Sequence, residues 1–319
     1  MRCTRAAALA LAAAWAAPAG GFDLQGHRGA RGLLPENTLP AFRRALELGV
    51  TTLELDVGVT RDGVVVISHD RTLNPDHTRD ASGRFLQREG PAIHSLTWVQ
   101  LQAYDVGRLK PGTDYARQFP DQQAVDGARI PRLVDLFWLV KRSGDEQVRF
   151  DIETKLDPSR PEETPVPETF ARALVAEIRR AGMARRSTIQ SFDWRTLQAV
   201  QKIAPEIPTA YLSMQRRFDN IGAGSAAGSR WTAGFQYRDY GSVPKMIKAA
   251  GGGIWSVYYN DLTPALLAEA KSLALQVLVW TVNDPAAMER LVELGVDGLI
   301  TDRPDLARKV LEARGIRWR

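Results

Sequence analysis

Three acidic residues have the types and spacing expected of a metal-binding site. Glu54 and Asp56 are two residues apart in an apolar run rich in β-forming residues, so their side chains point to the same face of a strand. Glu153 ends a later run of the same kind. Carboxylates that share a pocket repel each other and are costly to desolvate unless a divalent cation neutralises them. Ligation by oxygen alone favours Mg²⁺, Ca²⁺ or Mn²⁺ over zinc.

The chain contains four histidines, which limits where imidazole chemistry can occur. His27 and His69 each follow a short β-rich run, so both would lie at the end of a strand. A histidine pair beside a metal suits proton transfer near neutral pH. We interpret His77 and His94, which fall in a long polar stretch, as histidines of a surface loop.

Two cationic residues accompany these groups. Arg28 directly follows His27, and Lys155 stands two residues beyond Glu153. Fixed positive charge beside a metal favours an anionic substrate such as a phosphate. The alternative is a structural network in which the two cations pair with the carboxylates. The net charge of +5 permits anionic ligands without indicating one, and we expect neither a nucleic-acid ligand nor a protein partner.

The first residues have the pattern of a secretory signal peptide. Two arginines precede an Ala- and Leu-rich run over residues 6–17, which is too short to span a bilayer comfortably. Small residues follow, and we predict that residues 1–19 are a signal peptide and that the product is periplasmic or secreted. The alternative is an apolar helix that stays attached. The only cysteine, Cys3, lies in this segment, so we expect no thiol chemistry in the mature protein.

After residue 20, short β-rich runs alternate with helical patterns, which favours a parallel sheet with crossover helices. About eight such units match an α/β TIM (β/α)₈ barrel, and we predict one domain over residues 20–319. No Gly-x-Gly-x-x-Gly follows the first strand, which disfavours a doubly wound sheet. We interpret the polar residues 70–126 as an insertion over the barrel mouth, between the second strand and second helix. Residues 220–244 are predicted to form a mobile loop.

The strands and helices can be predicted individually. Strands are expected over residues 22–26, 51–60, 64–68, 148–153, 187–192, 208–213, 254–258, 276–282 and 298–301. Helices are expected over residues 38–49, 130–142, 167–182, 193–204, 264–274 and 284–294, and from 304 onward. Because the carboxyl ends of barrel strands meet at one mouth, the acidic, basic and imidazole groups should gather there. Phe192 and Trp280 stand at two further strand ends, and packing in the barrel core is the alternative for both.

Several short motifs follow one another in a distinctive order. They are His-Arg-Gly-Ala at 27–30, Pro-Glu-Asn-Thr at 35–38, Glu-Leu-Asp-Val at 54–57, Thr-Arg-Asp-Gly at 60–63, His-Asp at 69–70, Ile-Pro at 130–131, Glu-Thr-Lys at 153–155, Gln-Ser-Phe at 190–192, Trp-Thr-Val-Asn at 280–283 and Gly-Val-Asp-Gly-Leu-Ile-Thr-Asp at 295–302. The ordered set resembles the glycerophosphodiester phosphodiesterase family over nearly the whole mature chain.

The resemblance implies a TIM barrel that hydrolyses glycerophosphodiesters to sn-glycerol 3-phosphate and an alcohol, with one divalent cation, Ca²⁺ or Mg²⁺, in each site. It also implies a role for each matching residue. The metal ligands would be Glu54, Asp56 and Glu153, the general acid and base His27 and His69, and the substrate-binding residues Arg28, Lys155, Glu36, Phe192 and Trp280.

Two departures from the family pattern leave the size of the substrate open. Thr154 replaces an aliphatic residue between the motif Glu and Lys, and the 220–244 stretch is enlarged. The same fold could act on lysophospholipids or on polymeric glycerophosphodiesters. Trp231 and Tyr240 would permit weak contact with a membrane. A non-catalytic exported phosphodiester-binding protein is a further alternative, but such a protein could dispense with some of the groups that are all present here.

Overall fold

A computed structural model describes residues 21–318, and the predicted signal peptide lies outside the described residues. Eight parallel strands in this part of the chain form a closed barrel in the order β1-β9-β8-β7-β6-β5-β4-β2, and β1 pairs with β2 to complete it. The TIM-barrel prediction is confirmed. The strands are β1 (Asp23–Gly26), β2 (Thr52–Val59), β3 (Val65–Ile67), β4 (Arg149–Thr154), β5 (Ser187–Ser191), β6 (Thr209–Ser213), β7 (Ile254–Tyr258), β8 (Gln276–Trp280) and β9 (Gly298–Thr301). The short β3 is antiparallel to the end of β2.

The helices surround the barrel and connect successive strands. They are α1 (Leu39–Glu47), α2 (Trp98–Leu101), α3 (Asp114–Gln118), α4 (Leu133–Ser143), α5 (Pro167–Ala181), α6 (Trp194–Ile203), α7 (Tyr237–Tyr240), α8 (Val243–Ala249), α9 (Pro264–Ser272), α10 (Pro285–Leu294) and α11 (Pro304–Ala313). Several begin as their sequences predict, with a capping side chain and a proline in the first turn. Asp284, for example, accepts the backbone N–H of Ala287 at the start of α10. Among residues 21–318, no helix is both long and apolar enough to cross a membrane.

Most predicted elements agree with the structure to within a few residues, but the interpretation of residues 220–244 was wrong at its end. Residues 237–240 form the short helix α7, and Val243 and Pro244 belong to α8; both helices lie between β6 and β7. Ser242 caps α8 by accepting the N–H of Lys245 at 3.4 Å, and a proline in the first turn suits a helix start. The helix predicted from residue 130 begins instead at Leu133, because the backbone before it is extended and pairs with β3.

Alternation along β2 decides which side chains enter the barrel. Leu53, Leu55 and Val57 are fully buried in the apolar layer between the strands and the helices. Glu54 and Asp56 alternate with them and therefore point into the barrel. The alternation of side chains along β2 thus places its apolar residues in the core and its two carboxylates inside the barrel.

Residues 70–126 lie between β3 and α4 and include α2 and α3. Much of this segment packs on a small apolar cluster formed by Val66, Leu73, Ile93, Leu101, Val106 and Ile130. Contacts with loops at the barrel mouth hold it in place. Tyr115 donates its hydroxyl hydrogen to Glu36, and Gln122 Nε2 donates to the Arg31 carbonyl at 2.7 Å. The segment therefore covers one side of the mouth and contributes side chains to it.

Candidate active site

Three buried carboxylates meet at the carboxyl ends of β2 and β4. The register pairs Asp56 with Glu153, so the two stand level on neighbouring strands. With Glu54 they offer three oxygen atoms that all lie within 4.8 Å of one another. Their exposed fractions are 0% for Asp56, 1% for Glu54 and 7% for Glu153. The structure thus brings together the three residues that the sequence predicts as metal ligands, in a geometry that can hold one ion.

Hydrogen bonds fix the orientation of two of these carboxylates. Glu54 accepts the backbone N–H of Arg28 at 2.9 Å and Gln190 Nε2 at 2.8 Å. Asn37 Nδ2 donates to Asp56 Oδ2 at 2.9 Å. Among the described residues, buried Asp56 Oδ1 has no hydrogen-bond partner. An unpaired carboxylate oxygen in an all-oxygen cluster fits the requirement of a hard divalent cation.

Two cations also contact the cluster. Arg28 Nε lies 3.2 Å from Asp56 Oδ2. Lys155 Nζ donates to Glu153 Oε1 at 2.7 Å and lies 3.6 Å from Asp56 Oδ1. The ion-pair network considered as an alternative therefore exists, but two positive charges face three carboxylates that lie close together. When all three carboxylates are ionised, the network leaves one negative charge for a further cation to neutralise.

The carboxyl groups of the cluster respond differently to this environment. Burial, followed by the charges of Asp56 and Glu153, raises the pKa of Glu54 well above its usual range. Burial also raises the pKa of Glu153 to about 7, although Lys155 opposes the change. Burial acts in the same direction on Asp56, but Arg28 and other positive groups outweigh it and hold the pKa of Asp56 well below its usual range. The cluster therefore retains protons near neutral pH unless a cation displaces them.

The loop after β1 has an unusual backbone that aims Arg28 into the site. Arg28 and Asn37 have positive φ angles of 50° and 55°, which non-glycine residues adopt rarely. In this conformation Arg28 Nη1 also donates to Glu36 Oε1 at 2.8 Å. Burial opposes ionisation of Glu36, but Arg28 outweighs it and lowers the pKa of Glu36 to about 2. Glu36 is thus ionised, and it also accepts the hydroxyl hydrogen of Tyr115.

His27 is held by an aspartate that the sequence reasoning did not select. His27 Nδ1 lies 2.6 Å from Asp302 Oδ1, and its Nε2 lies 3.9 Å from Glu54 Oε2. Asp302 also accepts two hydrogen bonds from Arg31, at 2.7 and 3.0 Å. Burial, followed by the charge of Arg31, lowers the pKa of His27 to about 4. Asp302 immediately follows β9, so the search for polar residues at strand ends could have found it.

His69 follows β3, the short strand paired with the end of β2. Its Nδ1 lies 2.9 Å from Asp70 Oδ1, and its side chain is 30% exposed. Burial, followed by the charges of Arg28 and Lys155, lowers the pKa of His69. Each of the two predicted histidines thus has one ring nitrogen against a carboxylate, which leaves the other nitrogen for a reacting group.

The interpretation of His77 as a surface-loop histidine was wrong. Its side chain is 13% exposed, and its Nε2 lies 3.6 Å from Asp70 Oδ2. His94 is half-buried, and its Nδ1 lies 3.0 Å from the Val59 carbonyl oxygen. The insertion folds back onto the barrel, so a histidine inside a long polar stretch can still be buried.

Aromatic residues form a wall along one side of the mouth. Phe192 and Trp280 make an edge-to-face contact with ring centroids 5.5 Å apart, and both are half-buried rather than part of a closed core. Phe218 contacts Phe192 at 5.5 Å and Trp231 at 4.9 Å. Within the described chain, buried Trp280 Nε1 has no hydrogen-bond partner. The wall therefore offers apolar faces and one free N–H donor.

The chain is similar to several known proteins of one family. The model of the Glycerophosphoryl diester phosphodiesterase family matches residues 27–306. A glycerophosphodiester phosphodiesterase from Caldanaerobacter subterraneus is 29% identical over 283 residues, which cover 88% of this chain and 93% of the relative. A Silicibacter pomeroyi structure, provisionally described as a glycerophosphoryl diester phosphodiesterase, has a TM-score of 0.83 and 36% identity, covering 94% of this chain and 96% of that chain. An Oleispira antarctica phosphodiesterase, in complex with the product sn-glycerol-3-phosphate, has a TM-score of 0.65 and 20% identity, covering 91% of this chain and 96% of that chain.

The chain therefore belongs to the glycerophosphoryl diester phosphodiesterase family. It is a TIM-barrel enzyme, a phosphodiesterase that acts on glycerophosphodiesters. The alternative of a non-catalytic binding protein is set aside.

Proposed function

We propose that the enzyme hydrolyses glycerophosphodiesters to sn-glycerol 3-phosphate and an alcohol with the help of one divalent cation, Ca²⁺ or Mg²⁺. Glu54, Asp56 and Glu153 would hold the cation, and His27 and His69 would act as general acid and base. The observation that carries the proposal is the buried triad of carboxylate oxygens within 4.8 Å of one another. The product found in the Oleispira antarctica phosphodiesterase supports the choice of product.

The cation, when bound, would neutralise phosphate charge and lower the pKa of a hydroxyl or water. Arg28 and Lys155 contact the carboxylates of the same cluster, so their charges face the place where a phosphate would sit and would stabilise its oxygens in the transition state. Arg28 would also orient the substrate, because its planar guanidinium can bind two phosphate oxygens at once.

The two histidines would divide the proton transfers. One removes the proton of the nucleophile, and the other protonates the leaving alkoxide. Asp302 accepts from Nδ1 of neutral His27, which keeps Nε2 of that ring free of hydrogen and directed toward Glu54. Asp70 orients His69 in the same way through its Nδ1. A carboxylate behind each ring also stabilises the imidazolium that forms when the ring takes a proton.

Removal and return of the metal test this proposal directly. Chelation should abolish the release of sn-glycerol 3-phosphate from glycerophosphocholine, and added Ca²⁺ or Mg²⁺ should restore it. Glu153→Gln should lose the response to cations, because one ligand oxygen and one charge are removed. Glu206→Gln is the matched control, since Glu206 is an exposed partner of Arg179. Full activity after chelation would contradict the cation requirement.

We further propose that the enzyme is exported, with residues 1–19 removed and residues 20–319 forming one domain. The sequence pattern of the first residues supports this. The barrel begins directly after the proposed cleavage point, where the Phe22 N–H donates to the Arg317 carbonyl at 3.1 Å. Amino-terminal sequencing of protein recovered from the periplasm or medium should start near residue 20. Recovery only from the cytoplasm, with residue 1 retained, would contradict export.

A lysophospholipid is a second candidate substrate, because the aromatic wall extends past Phe192 and Trp280 to Phe218, which is 42% exposed. The acyl chain of a lysophospholipid, which stays on the glycerol phosphate while the headgroup alcohol leaves, could pack along these rings. The discriminating experiment compares kcat/KM for glycerophosphocholine and for lysophosphatidylcholine below its micelle concentration. Phe218→Ala should lower only the lysophosphatidylcholine value, and an equal effect on both substrates would contradict packing of an acyl chain on these rings.

A further inference from the structure

His77 is a largely buried histidine, with a side chain that is 13% exposed. Within residues 21–318, neither of its ring nitrogens has a hydrogen-bond partner, although buried polar groups are rarely left unpaired. Its ring packs against Tyr115 with centroids 6.0 Å apart. It lines a small cavity together with His69 and Glu36. A histidine in this position lies beside the active site rather than on the outer surface of the insertion.

The carboxylate of Asp70 lies between two imidazole rings. Its Oδ1 is 2.9 Å from His69 Nδ1, and its Oδ2 is 3.6 Å from His77 Nε2. Asn74 Nδ2 donates to the same Oδ2 at 2.7 Å, which limits rotation of the carboxylate. The single negative charge of Asp70 therefore lies beside two imidazole rings, each of which can carry a proton.

We propose that His77 is a positioning residue for His69 and acts through the Asp70 carboxylate that both rings face. The inference rests on the proposed role of His69 in proton transfer. A proton on His77 partly neutralises the charge of Asp70. It therefore weakens the stabilisation that Asp70 gives to a proton on His69. His77 also keeps Asp70 Oδ1 directed at His69 Nδ1, as an outer residue orients a catalytic ring.

The other charged and titratable groups facing His77 come from two further elements, the loop between β1 and α1 and the helix α3. Glu36 lies in the loop before α1, Arg28 follows β1, and Tyr115 on α3 donates to Glu36. Burial opposes a proton on His77, but Asp70 and Glu36 outweigh it and raise the pKa of His77. Arg28 acts in the opposite direction.

His69 has a different set of neighbours. Burial lowers its pKa, and the charges of Arg28 and Lys155 lower it further, while Asp56 and Asp70 oppose them. The two rings that share Asp70 thus differ in proton affinity, and His77 holds its proton more strongly. This order keeps His69 neutral and ready to accept a proton.

Nuclear magnetic resonance of the four histidines tests the coupling on the full chain. The ring ¹⁵N and ¹H signals of the wild type and His77→Gln are followed from pH 4 to pH 9. The titration midpoint of His69 should rise by about half a pH unit or more in His77→Gln. The reason is that the charge of Asp70 then stabilises a proton on His69 without a second protonated ring beside it. His94→Gln is the matched control, since His94 contacts the Val59 carbonyl instead. This control should leave the His69 midpoint unchanged.

A second pair of variants separates coupling through the carboxylate from a packing effect. In an Asp70→Asn background, His77→Gln should no longer move the His69 midpoint, because the shared charge is gone. An unmoved midpoint in His77→Gln would overturn the proposal, and so would a shift that persists without the Asp70 charge. His77→Asn carries the same test if the Gln variant does not fold.

The pH profile of kcat/KM supplies a readout in the working enzyme. The limb of this profile that reports the ionisation of His69 should shift in pH by the same amount as the titration midpoint of His69. A His69 midpoint that responds to His77→Gln while the pH profile stays fixed would overturn the positioning role. An active His69→Ala variant would instead contradict the proposed role of His69 in catalysis and leave the coupling itself intact.

Discussion

The aspartate that follows β9 offers a sharp test of the site geometry. Asp302 Oδ1 lies 2.6 Å from His27 Nδ1 and accepts Arg31 Nε at 2.7 Å. Its Oδ2 accepts Arg31 Nη2 at 3.0 Å and Asn283 Nδ2 at 2.6 Å. All four facing atoms can donate a hydrogen, so both carboxylate oxygens act only as acceptors. A side chain of the same shape with one donor in place of an oxygen must conflict with this arrangement.

Asp302→Asn introduces that conflict. If the new NH₂ takes the place of Oδ2, it faces two donors that cannot change, because Arg31 has no acceptor and Asn283 is held through its own Oδ1. If it takes the place of Oδ1, it faces Arg31 Nε and His27, and only the imidazole can respond by moving its proton. The variant therefore favours the tautomer of His27 with hydrogen on Nε2, which is the nitrogen facing the carboxylate cluster.

The expected losses follow from these contacts. A buried aspartate that fixes the tautomer of a catalytic histidine is worth about 10⁴ in turnover in serine proteases, and we expect a loss of about 10³–10⁴ here, or about 4–5 kcal/mol in the activation barrier. Removal of the charge also leaves the Arg31 guanidinium without its main partner, which costs about 3–5 kcal/mol. Glu36 remains 3.8 Å from Arg31, so we expect the lower end of that range for the free energy of unfolding.

The assay measures initial rates of sn-glycerol 3-phosphate release with saturating cation, together with urea unfolding of the same preparations. Asp305→Asn is the matched control, because Asp305 accepts two hydrogen bonds of 2.9 Å from Arg303 in the same manner, outside the mouth. The control should stay within about twofold of the wild type in turnover. If Asp302→Asn retains turnover within tenfold of the wild type, the reasoning about the His27 tautomer is wrong.

Three further predictions concern the same site. His27→Ala and His69→Ala should each lose at least about a hundredfold in kcat, the usual share of acid–base catalysis, whereas His94→Ala should remain near the wild type; turnover near the wild type in either of the first two would remove that residue from the mechanism. Cation affinity should fall at least about tenfold for each pH unit below about 7, because Glu153, whose pKa is raised to about 7 by burial, and Glu54, whose pKa burial also raises, must lose their protons to bind the ion. Calorimetric titrations at pH 5.5 and 8 check this, and equal affinities would contradict it. Gly29→Ala should lower the free energy of unfolding by about 2–4 kcal/mol, since the glycine has a φ of 86° and an added Cβ would lie 2.7 Å from the backbone of α1; a loss below about 0.5 kcal/mol in urea unfolding would refute the close packing of this turn.

Much of the fold and of the candidate site could be predicted because the responsible signals are local. The alternation of Glu54 and Asp56 with apolar neighbours predicts a strand with two inward carboxylates, and the structure shows that arrangement. Helix starts follow from caps and prolines that act within a single turn. The start of α8 was missed because the glycines before Ser242 obscure the cap, although the cap itself is present.

The contacts that hold the candidate catalytic groups could not be predicted in the same way. His27 and Asp302 are 275 residues apart, and they meet because β1 and β9, the first and last strands of the barrel, pair with each other. Tyr115 reaches Glu36 from 79 residues away, because the insertion folds over the mouth. The spacing of residues along the chain does not predict which strand ends lie next to each other in the barrel.

The sequence by itself determined which residues can do the chemistry and on which face of a strand each one stands, because side-chain direction follows from the period of two along a strand. Tertiary structure alone decided which of these side chains face each other and which proton each histidine holds. Those properties depend on burial and on charges a few ångströms away, and closure of the barrel brings such charges together from opposite ends of the chain.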